Sequence, residues 1–489
     1  MQSTLRKSAD PVAAKGDLLV VCVADPPKPL TGPVAAVDSA LGGLVARAVK
    51  DREIDGKAGS TALFRAAAGL ASPRVVVVGV GAGAREDWRA AGKAAAQTAC
   101  RVKARSVAVV PPESASAADV SALVEGFGVG AYRFDRFKTA DDAPAVPRRL
   151  AVHSPVVRTA DLRRADRVVE AVNGARDLSN TPGNHLTPTL LAERAKELAD
   201  GIPGLSCTVL GRARLEKLGA GALLTVAQGS EEPPRMIVLR YRPPGAPRTG
   251  EVLGLVGKAV TFDTGGISIK HSNGMEDMKL DMGGGAAVLE GTALVAALGL
   301  PVELLTVIPA TENMPSGRAV KPGDVITAMN GRTVEVINTD AEGRLILADG
   351  LAYVAREGAT RLIDIATLTG AIVVALGEVY AGLFGSDQEW TDLVRDAADE
   401  SGDLAWPMPM HDRYRPLIES KVADLANASN KRQAGPVYAA QFLREFTDGL
   451  PWCHVDIAGT GMVGGAGTGF GVRLILAVAE RLAGAGAGD

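Results

Sequence analysis

The sequence predicts an α/β protein in which a smaller N-terminal α/β domain, a linker helix and a larger C-terminal α/β domain with a mixed central sheet follow one another. Three observations predict it. Short β-branched runs alternate with Ala-rich segments over the first part of the chain, a long helical stretch follows, and near-continuous apolar runs then return with one hairpin signal among them. At 489 residues the chain is also too long for one ordinary domain.

In the first part the strand-like runs are LLVVCVA from Leu18, RVVVVGVG from Arg74 and SVAVV from Ser106. The segment from Trp88 to Val102 reads as a helix. Strands that are apolar throughout belong to a parallel sheet buried on both faces. A polar, Pro-containing stretch from Thr139 to Arg149 breaks the pattern. Between Asp161 and Leu178, the apolar Leu162, Ala165, Val168, Val169, Val172 and Ala175 fall at helical spacing. The run Asn180-Thr181-Pro182-Gly183-Asn184 stops this helix. The expected limits are residues 1–155 for the N-terminal domain, 156–179 for the linker helix and 180–489 for the C-terminal domain.

In the second part the buried-type strands are MIVLRY from Met236, EVLGLVG from Glu251, VELLTVIPA from Val302, RLIDIATL from Arg361 and HVDIAG from His454. Asn330-Gly331, between DVITAM and RTVEVI, signals a hairpin. The second sheet is therefore expected to be mixed. The closing AGAGAGD is of low complexity and expected to be flexible.

Composition excludes several functions. Lys and Arg (53) nearly balance Asp and Glu (56), a formal charge of −3, which gives no support to nucleic acid or anionic lipid as the main partner. Cys22, Cys100, Cys207 and Cys453 lie far apart, so neither a disulfide framework nor a cysteine zinc site is expected. The first apolar run, Leu18 to Ala24, has the length of a strand and ends at Asp25-Pro26-Pro27, so it is not read as a signal peptide. No stretch approaches the ~20 apolar residues of a membrane span. A cytoplasmic protein is expected.

Two segments of the second part concentrate charge beside glycines at strand ends, where open α/β sheets place ligand sites. One is GKAVTFDTGGISIK (257–270) followed by MKLDMGG (278–284); the other is NTDAEGRL (338–345). Solvated loops with glycine turns explain either segment alone equally well. Together they bring four carboxylates, Asp263, Asp281, Asp340 and Glu342. If the chain there is extended, Asp340 and Glu342 face the same side. Clustered carboxylates stay ionised only when cations compensate them, and a pair of divalent metals is a recurrent hydrolytic device. The five histidines are scattered, without an HExxH-type pair, and read as structural or surface residues.

The octapeptide NTDAEGRL resembles the signature of the leucine aminopeptidase, or cytosol aminopeptidase, family. The GKAVTFDTGGISIK and MKLDM segments, NTPGNHLTP from Asn180, DIATLTGA from Asp364 and WCHVDIAGTG from Trp452 are similar to that family as well. The resemblance implies a metal-dependent aminopeptidase that releases N-terminal residues, preferably Leu and other apolar ones, from peptides by means of a water activated by two metals. It implies two divalent ions per subunit, Mn or Zn, held by Lys258, Asp263, Asp281, Asp340 and Glu342. Asp263 and Glu342 are then expected to touch both ions, and Asp340 to add its backbone carbonyl. Lys270 and Arg344 become the catalytic side chains, with bicarbonate held by Arg344 as possible general base. Met278, Thr367, Leu368 and Gly370 border the pocket for the N-terminal residue. A homohexamer of two stacked trimers, open to short peptides, is implied too. Two departures are mild: Gly183 stands where the family often has Pro or Ala, and His271 where Pro is common.

The residue chemistry is compatible with these roles. A lysine ligates only when neutral, so Lys258 is expected to have a depressed pKa beside dications. Lys270 suits an oxyanion, and the permanently charged Arg344 suits an anion rather than a proton. Three signals are set aside. GVGAGA (79–84) looks like a dinucleotide fingerprint, but a tight strand-to-helix turn explains its glycines. Gly257-Lys258 lacks the rest of a P-loop, and the Arg pairs at 148 and 163 read as solvated. A two-metal phosphoesterase shares the carboxylates, but such sites usually recruit several histidines. A DNA-binding or regulatory role, known among some bacterial relatives of the family, lacks a basic run here.

Overall fold

A computed structural model describes residues 2–27, 29–66, 69–139, 145–245, 250–431 and 433–485. The chain divides into two compact units, residues 1–173 and 174–489. The fold class is α/β in both.

The first unit holds six strands: β1 (Gln2–Arg6), β2 (Leu18–Val23), β3 (Thr61–Arg65), β4 (Arg74–Gly79), β5 (Ser106–Val110) and β6 (Arg149–His153). Their order is β1-β6-β5-β2-β4-β3. Every neighbouring pair is parallel except β3, which runs antiparallel to β4. The sheet is thus not the purely parallel one that its apolar runs alone predict. β3 lies at the edge with its residues alternately exposed and half-buried, so it needs no continuous apolar run. Alternation along β2 serves two cores. Leu19, Val21 and Val23 pack with α1 (Gly32–Ala40) and α2 (Leu44–Lys50). Leu18, Val20 and Cys22 pack with α3 (Arg85–Arg101) and α4 (Ala117–Gly130). The helix predicted over 161–178 forms as α5 (Thr159–Asn180), and the division between the units falls inside it.

The second unit is built on nine strands: β7 (Leu205–Leu210), β8 (Arg235–Tyr241), β9 (Val252–Gly257), β10 (Ala259–Asp263), β11 (Glu303–Asn313), and, after a separate small sheet, β14 (Arg361–Ala366), β15 (Ala381–Gly385), β16 (Ala405–Pro407) and β18 (Trp452–Asp456). Their order is β16-β15-β18-β14-β9-β11-β8-β7, with β10 also on β11. β9, β11, β14 and β18 run parallel, whereas β8 and β15 join antiparallel, so the sheet is mixed. The small sheet contains the hairpin marked by Asn330-Gly331: β12 (Val325–Thr327) pairs antiparallel with β13 (Thr333–Glu335), and β17 (Leu425–Ala426) joins β13. Gly331 turns the hairpin at φ 87°.

The helices of this unit are α6 (Pro188–Asp200), α7 (Arg212–Leu218), α8 (Gly221–Val226), α9 (Gly283–Ala297), α10 (Glu342–Arg356), α11 (Gly370–Leu376), α12 (Gln388–Ser401), α13 (Gly435–Arg444) and α14 (Val472–Ala485). α9 and α10 sandwich the parallel strands. A Cβ on Gly350 of α10 would meet Val256, whereas one on Gly257 would meet Val288 of α9, and successive strand residues face opposite ways. Gly284 and Gly285 are spent on this packing within the chain. A Cβ on Gly284 would lie 2.0 Å from the carbonyl oxygen of Ile365, so only glycine lets α9 approach β14 so closely. Among the described residues, no single helix is long and apolar enough to cross a membrane. The expectations for the stretch after Thr139 and for the chain's end fall partly on residues 140–144 and 486–489, outside the described residues.

Candidate metal centre

The charged residues converge where β9, β10 and β14 end and α9 and α10 begin. Lys258 joins β9 to β10 and is 3 % exposed. Its Nζ lies 2.8 Å from Asp281 Oδ2 and 2.9 Å from Glu342 Oε1, and donates to the Thr367 carbonyl at 2.9 Å. A Cβ on Gly343 would sit 2.7 Å from that Nζ, so a glycine beside Glu342 leaves the lysine its channel. Asp263 closes β10, and its Oδ1 accepts from Gly265 N and Asn313 Nδ2, both at 2.8 Å. Lys270 Nζ stands 2.8 Å from Asp263 Oδ2 and also contacts Asp340. Asp281, at the end of a short 3-10 turn that carries Met278, accepts from Thr367 Oγ1 at 2.7 Å.

Asp263, Asp340 and Glu342 each offer a carboxylate oxygen within 4.8 Å of the others. They do so without the extended backbone that would set Asp340 and Glu342 on one side. Asp340 lies in a turn, its N–H bound to Asn338 Oδ1, and Glu342 is the first residue of α10. The turn and the helix start, rather than strand alternation, aim the two carboxylates together.

The electrostatics leave room for cations. Fully ionised, the four carboxylates would exceed the two ammonium groups, Lys258 and Lys270, by two negative charges. Burial, with repulsion from Asp263 and Asp281, pushes Glu342 up to about 8. Burial pushes Asp281 up to about 6 and raises Asp340 as well. Burial alone pulls both lysines down, but the carboxylates overcome it and hold each above its ordinary value. The depressed pKa expected for Lys258 is therefore not a property of the protein groups themselves. It requires further positive charge beside it. Glu342 Oε2 is buried without a hydrogen-bond partner. An unpaired buried carboxylate oxygen within an oxygen-rich cluster suits a hard or borderline dication.

The two motif loops hold each other. Thr339 Oγ1 donates to the Gly265 carbonyl at 2.6 Å and accepts from Ser268 N at 2.8 Å. Gly265 adopts φ 86°, and a Cβ there would lie 2.8 Å from Asp340 Oδ1. Arg344, on the first turn of α10, is buried, donates to the Asn427 carbonyl at 2.7 Å and stacks 5.2 Å from the Tyr438 ring centroid. Its Nε has no partner. Of the residues expected to line a substrate pocket, Met278, Thr367 and Leu368 are half-buried, and Gly370 is exposed at the start of α11. Leu368 N donates to Asp456 Oδ1 at 3.0 Å.

Sequence reasoning missed Asn427. This fully buried side chain accepts from Ile337 N at 2.8 Å and donates to the carbonyls of Asn338 and Ala341, bracketing Asp340 on both sides. Asn313, which ties Asp263 to the Thr339 carbonyl, was missed too. Each sits at or just beyond a strand end, remote in sequence from the residues it fixes, and no local pattern marks it.

A sequence model of the cytosol aminopeptidase family, catalytic domain, matches residues 173–476, and the model of the family's N-terminal domain matches residues 20–141. The chain belongs to the cytosol aminopeptidase family. It is 44% identical over 466 residues to a probable cytosol aminopeptidase of Syntrophotalea carbinolica, covering 91% of this chain and 93% of that one. It is also 44% identical over 458 residues to one of Acidovorax sp. (strain JS42), covering 94% and 90%. Among solved structures, a tomato leucine aminopeptidase mutant superposes with a TM-score of 0.89 at 33% identity, covering 98% of this chain and 96% of that chain. The bottromycin maturation enzyme BotP in complex with Mn does so with a TM-score of 0.82 at 32% identity, covering 96% and 99%. Family membership makes this chain an aminopeptidase, a metal-dependent hydrolase acting on peptide N-termini.

Proposed function

We propose that the chain is a two-metal leucyl aminopeptidase of the cytoplasm that trims short peptides. The observation that carries this reading is the convergence of Asp263, Asp340 and Glu342 to within 4.8 Å, with Lys258 and Asp281 alongside. Those five side chains are the proposed ligands of two divalent ions, Mn or Zn. When bound, such ions activate water and polarise a carbonyl.

The chain's own groups do the rest. Lys270 reaches the cluster from its open side, where its ammonium can meet the oxyanion that develops on a scissile carbonyl. Arg344 keeps Nε free while one guanidinium nitrogen is tied to the backbone, so it would hold an anion, proposed as bicarbonate, which would supply a general base. Met278, Thr367, Leu368 and Gly370 form the proposed wall around the N-terminal side chain. A carboxylate pressed against Met278 and Leu368 would lose its hydration, which favours leucine over aspartate. A homohexamer completes the reading.

The test is hydrolysis of aminoacyl-anilides by metal-loaded protein beside an N-blocked peptide. Leu-anilide should turn over well, Asp-anilide poorly and the blocked peptide not at all. Equal rates on Leu- and Asp-anilides would refute the pocket, and cleavage of the blocked peptide would refute an exopeptidase.

A further inference from the structure

Asp456 is the last residue of β18 and is fully buried. It stands in register with Ala366, where β14 ends, and the three residues after Ala366 lead into α11. Its Oδ1 accepts from Leu368 N at 3.0 Å, from Ala458 N at 3.2 Å and from Thr369 N at 3.4 Å. Its Oδ2 accepts from Thr369 Oγ1 at 2.6 Å. That same hydroxyl accepts from Ile372 N at 3.4 Å and so caps α11. Hydrogen bonds to an ionised acceptor are stronger than neutral ones.

Little else holds this connection. Within α11 only Ile372 is buried, and Gly370, Ala371, Val373 and Val374 are exposed. A Cβ on Gly370 would meet nothing within 4 Å. Segments with few buried apolar contacts open at low cost, so the polar tether decides where this one sits. Thr367 is fastened separately, its carbonyl to Lys258 Nζ and its hydroxyl to Asp281. The connection is thus pinned on one side to proposed metal ligands and on the other to Asp456. None of the Asp456 bonds reaches a proposed metal ligand.

We infer that Asp456 is a positioning residue for substrate selection: it fixes Leu368 and the start of α11 as a wall against the N-terminal side chain. The inference rests on the pocket proposed above and names what makes that pocket selective. A wall discriminates between apolar side chains by contact only when its own support is rigid.

The test compares Leu- and Ala-anilides on Mn-loaded protein. Asp456→Ala should raise KM for Leu-anilide far more than it lowers kcat, and should reduce the Leu-over-Ala preference in kcat/KM about tenfold. Bound Mn should stay at the wild-type level, because Thr367 keeps its own ties. Asp456→Asn retains an oxygen for Leu368 N and Thr369 N and should restore most of the preference. Thr369→Val keeps the side-chain shape but removes the hydroxyl, and should reduce the preference about fivefold. If Asp456→Ala misfolds, as its circular dichroism spectrum would reveal, Thr369→Val and Asp456→Asn still decide the matter. A selective wild type whose folded variants are equally selective would overturn the inference alone. Loss of Mn with the preference intact would also overturn it, since Asp456 would then act through the metal centre. A wild type indifferent between the two anilides would refute the pocket itself, and the inference with it.

Discussion

Lys258 and Asp281 form a buried ion pair, Nζ to Oδ2 2.8 Å, with side chains 4 % and 10 % exposed. The same ammonium also meets Glu342, so a single cation compensates two carboxylates. Removing one member of such a cluster leaves buried charge unpaired, typically at a cost of about 3–5 kcal/mol. Lys258→Met should therefore lower the melting temperature of the metal-stripped protein and weaken metal uptake. Unchanged melting and full metal content would show that Lys258 is neither a structural cation nor a ligand.

Lys270 touches Asp263 and Asp340 but lies partly open to solvent. Lys270→Ala is expected to reduce kcat by roughly 10²-fold, the loss of one oxyanion stabiliser, with bound metal unchanged. Arg344→Ala should be milder, because water can replace part of a held anion, and added bicarbonate should stimulate only the enzyme that retains Arg344. Loss of metal from Lys270→Ala would make that lysine a ligand and reverse the assignment.

Asn427 tests how far the signature loop depends on its support. Asn427→Ala removes the acceptor for Ile337 N and the donor to the carbonyls flanking Asp340. Each buried group left unpaired costs about 1–3 kcal/mol, so kcat and metal affinity should both fall while the distant Asp281–Thr367 contact persists. Asn427→Asp, which keeps the acceptor but loses the donor, should fall between. Wild-type metal affinity in the alanine variant would show that the loop holds itself.

These residues show what the sequence discloses. The central strands were legible because both faces are buried, and burial writes a continuous apolar run. Edge strand β3 was not, since its exposed positions carry no such run. Asp263, Asp340 and Glu342 were legible as charge beside glycine, and Gly265 is needed there because its φ and its neighbours exclude a Cβ. Lys258 was visible only through family resemblance, because nothing local separates a buried lysine from a solvated one. Asn427 was invisible, as its partners lie 86–90 residues away in sequence.

Glu290, on α9, is 4 % exposed and faces Arg194 at 3.5 Å. Burial pushes its carboxyl up to about 7 despite that arginine, and Asp177 adds repulsion. The folded value stands above the unfolded one, about 4.3, so the native state holds the proton between them. This contribution to stability is complete below the unfolded value and is lost as pH rises through about 7. Glu290→Gln should match the wild-type melting temperature in acid and exceed it at alkaline pH. A constant difference across the range would mean that Glu290 does not titrate in that window.

The last expectation concerns assembly. α11 begins at Gly370, beside the proposed substrate wall, and turns Val373 and Val374 outward, the latter 90 % exposed. Val379 and Trp406 follow at 64 % and 55 %, and the Trp406 ring packs edge-on against Tyr380, 5.7 Å between centroids. Contiguous exposed apolar side chains mark contact surfaces, and further copies of the same chain would bury them beside the substrate wall. Light scattering at micromolar concentration should give a mass of about six chains. Val374→Glu combined with Trp406→Glu should shift that mass downward, because an uncompensated carboxylate in an apolar contact is costly. If enclosure restricts access, the same variant should gain activity on folded substrates with accessible N-termini relative to short peptides. A monomeric wild type with full activity would remove the assembly from the reading and leave the metal cluster untouched.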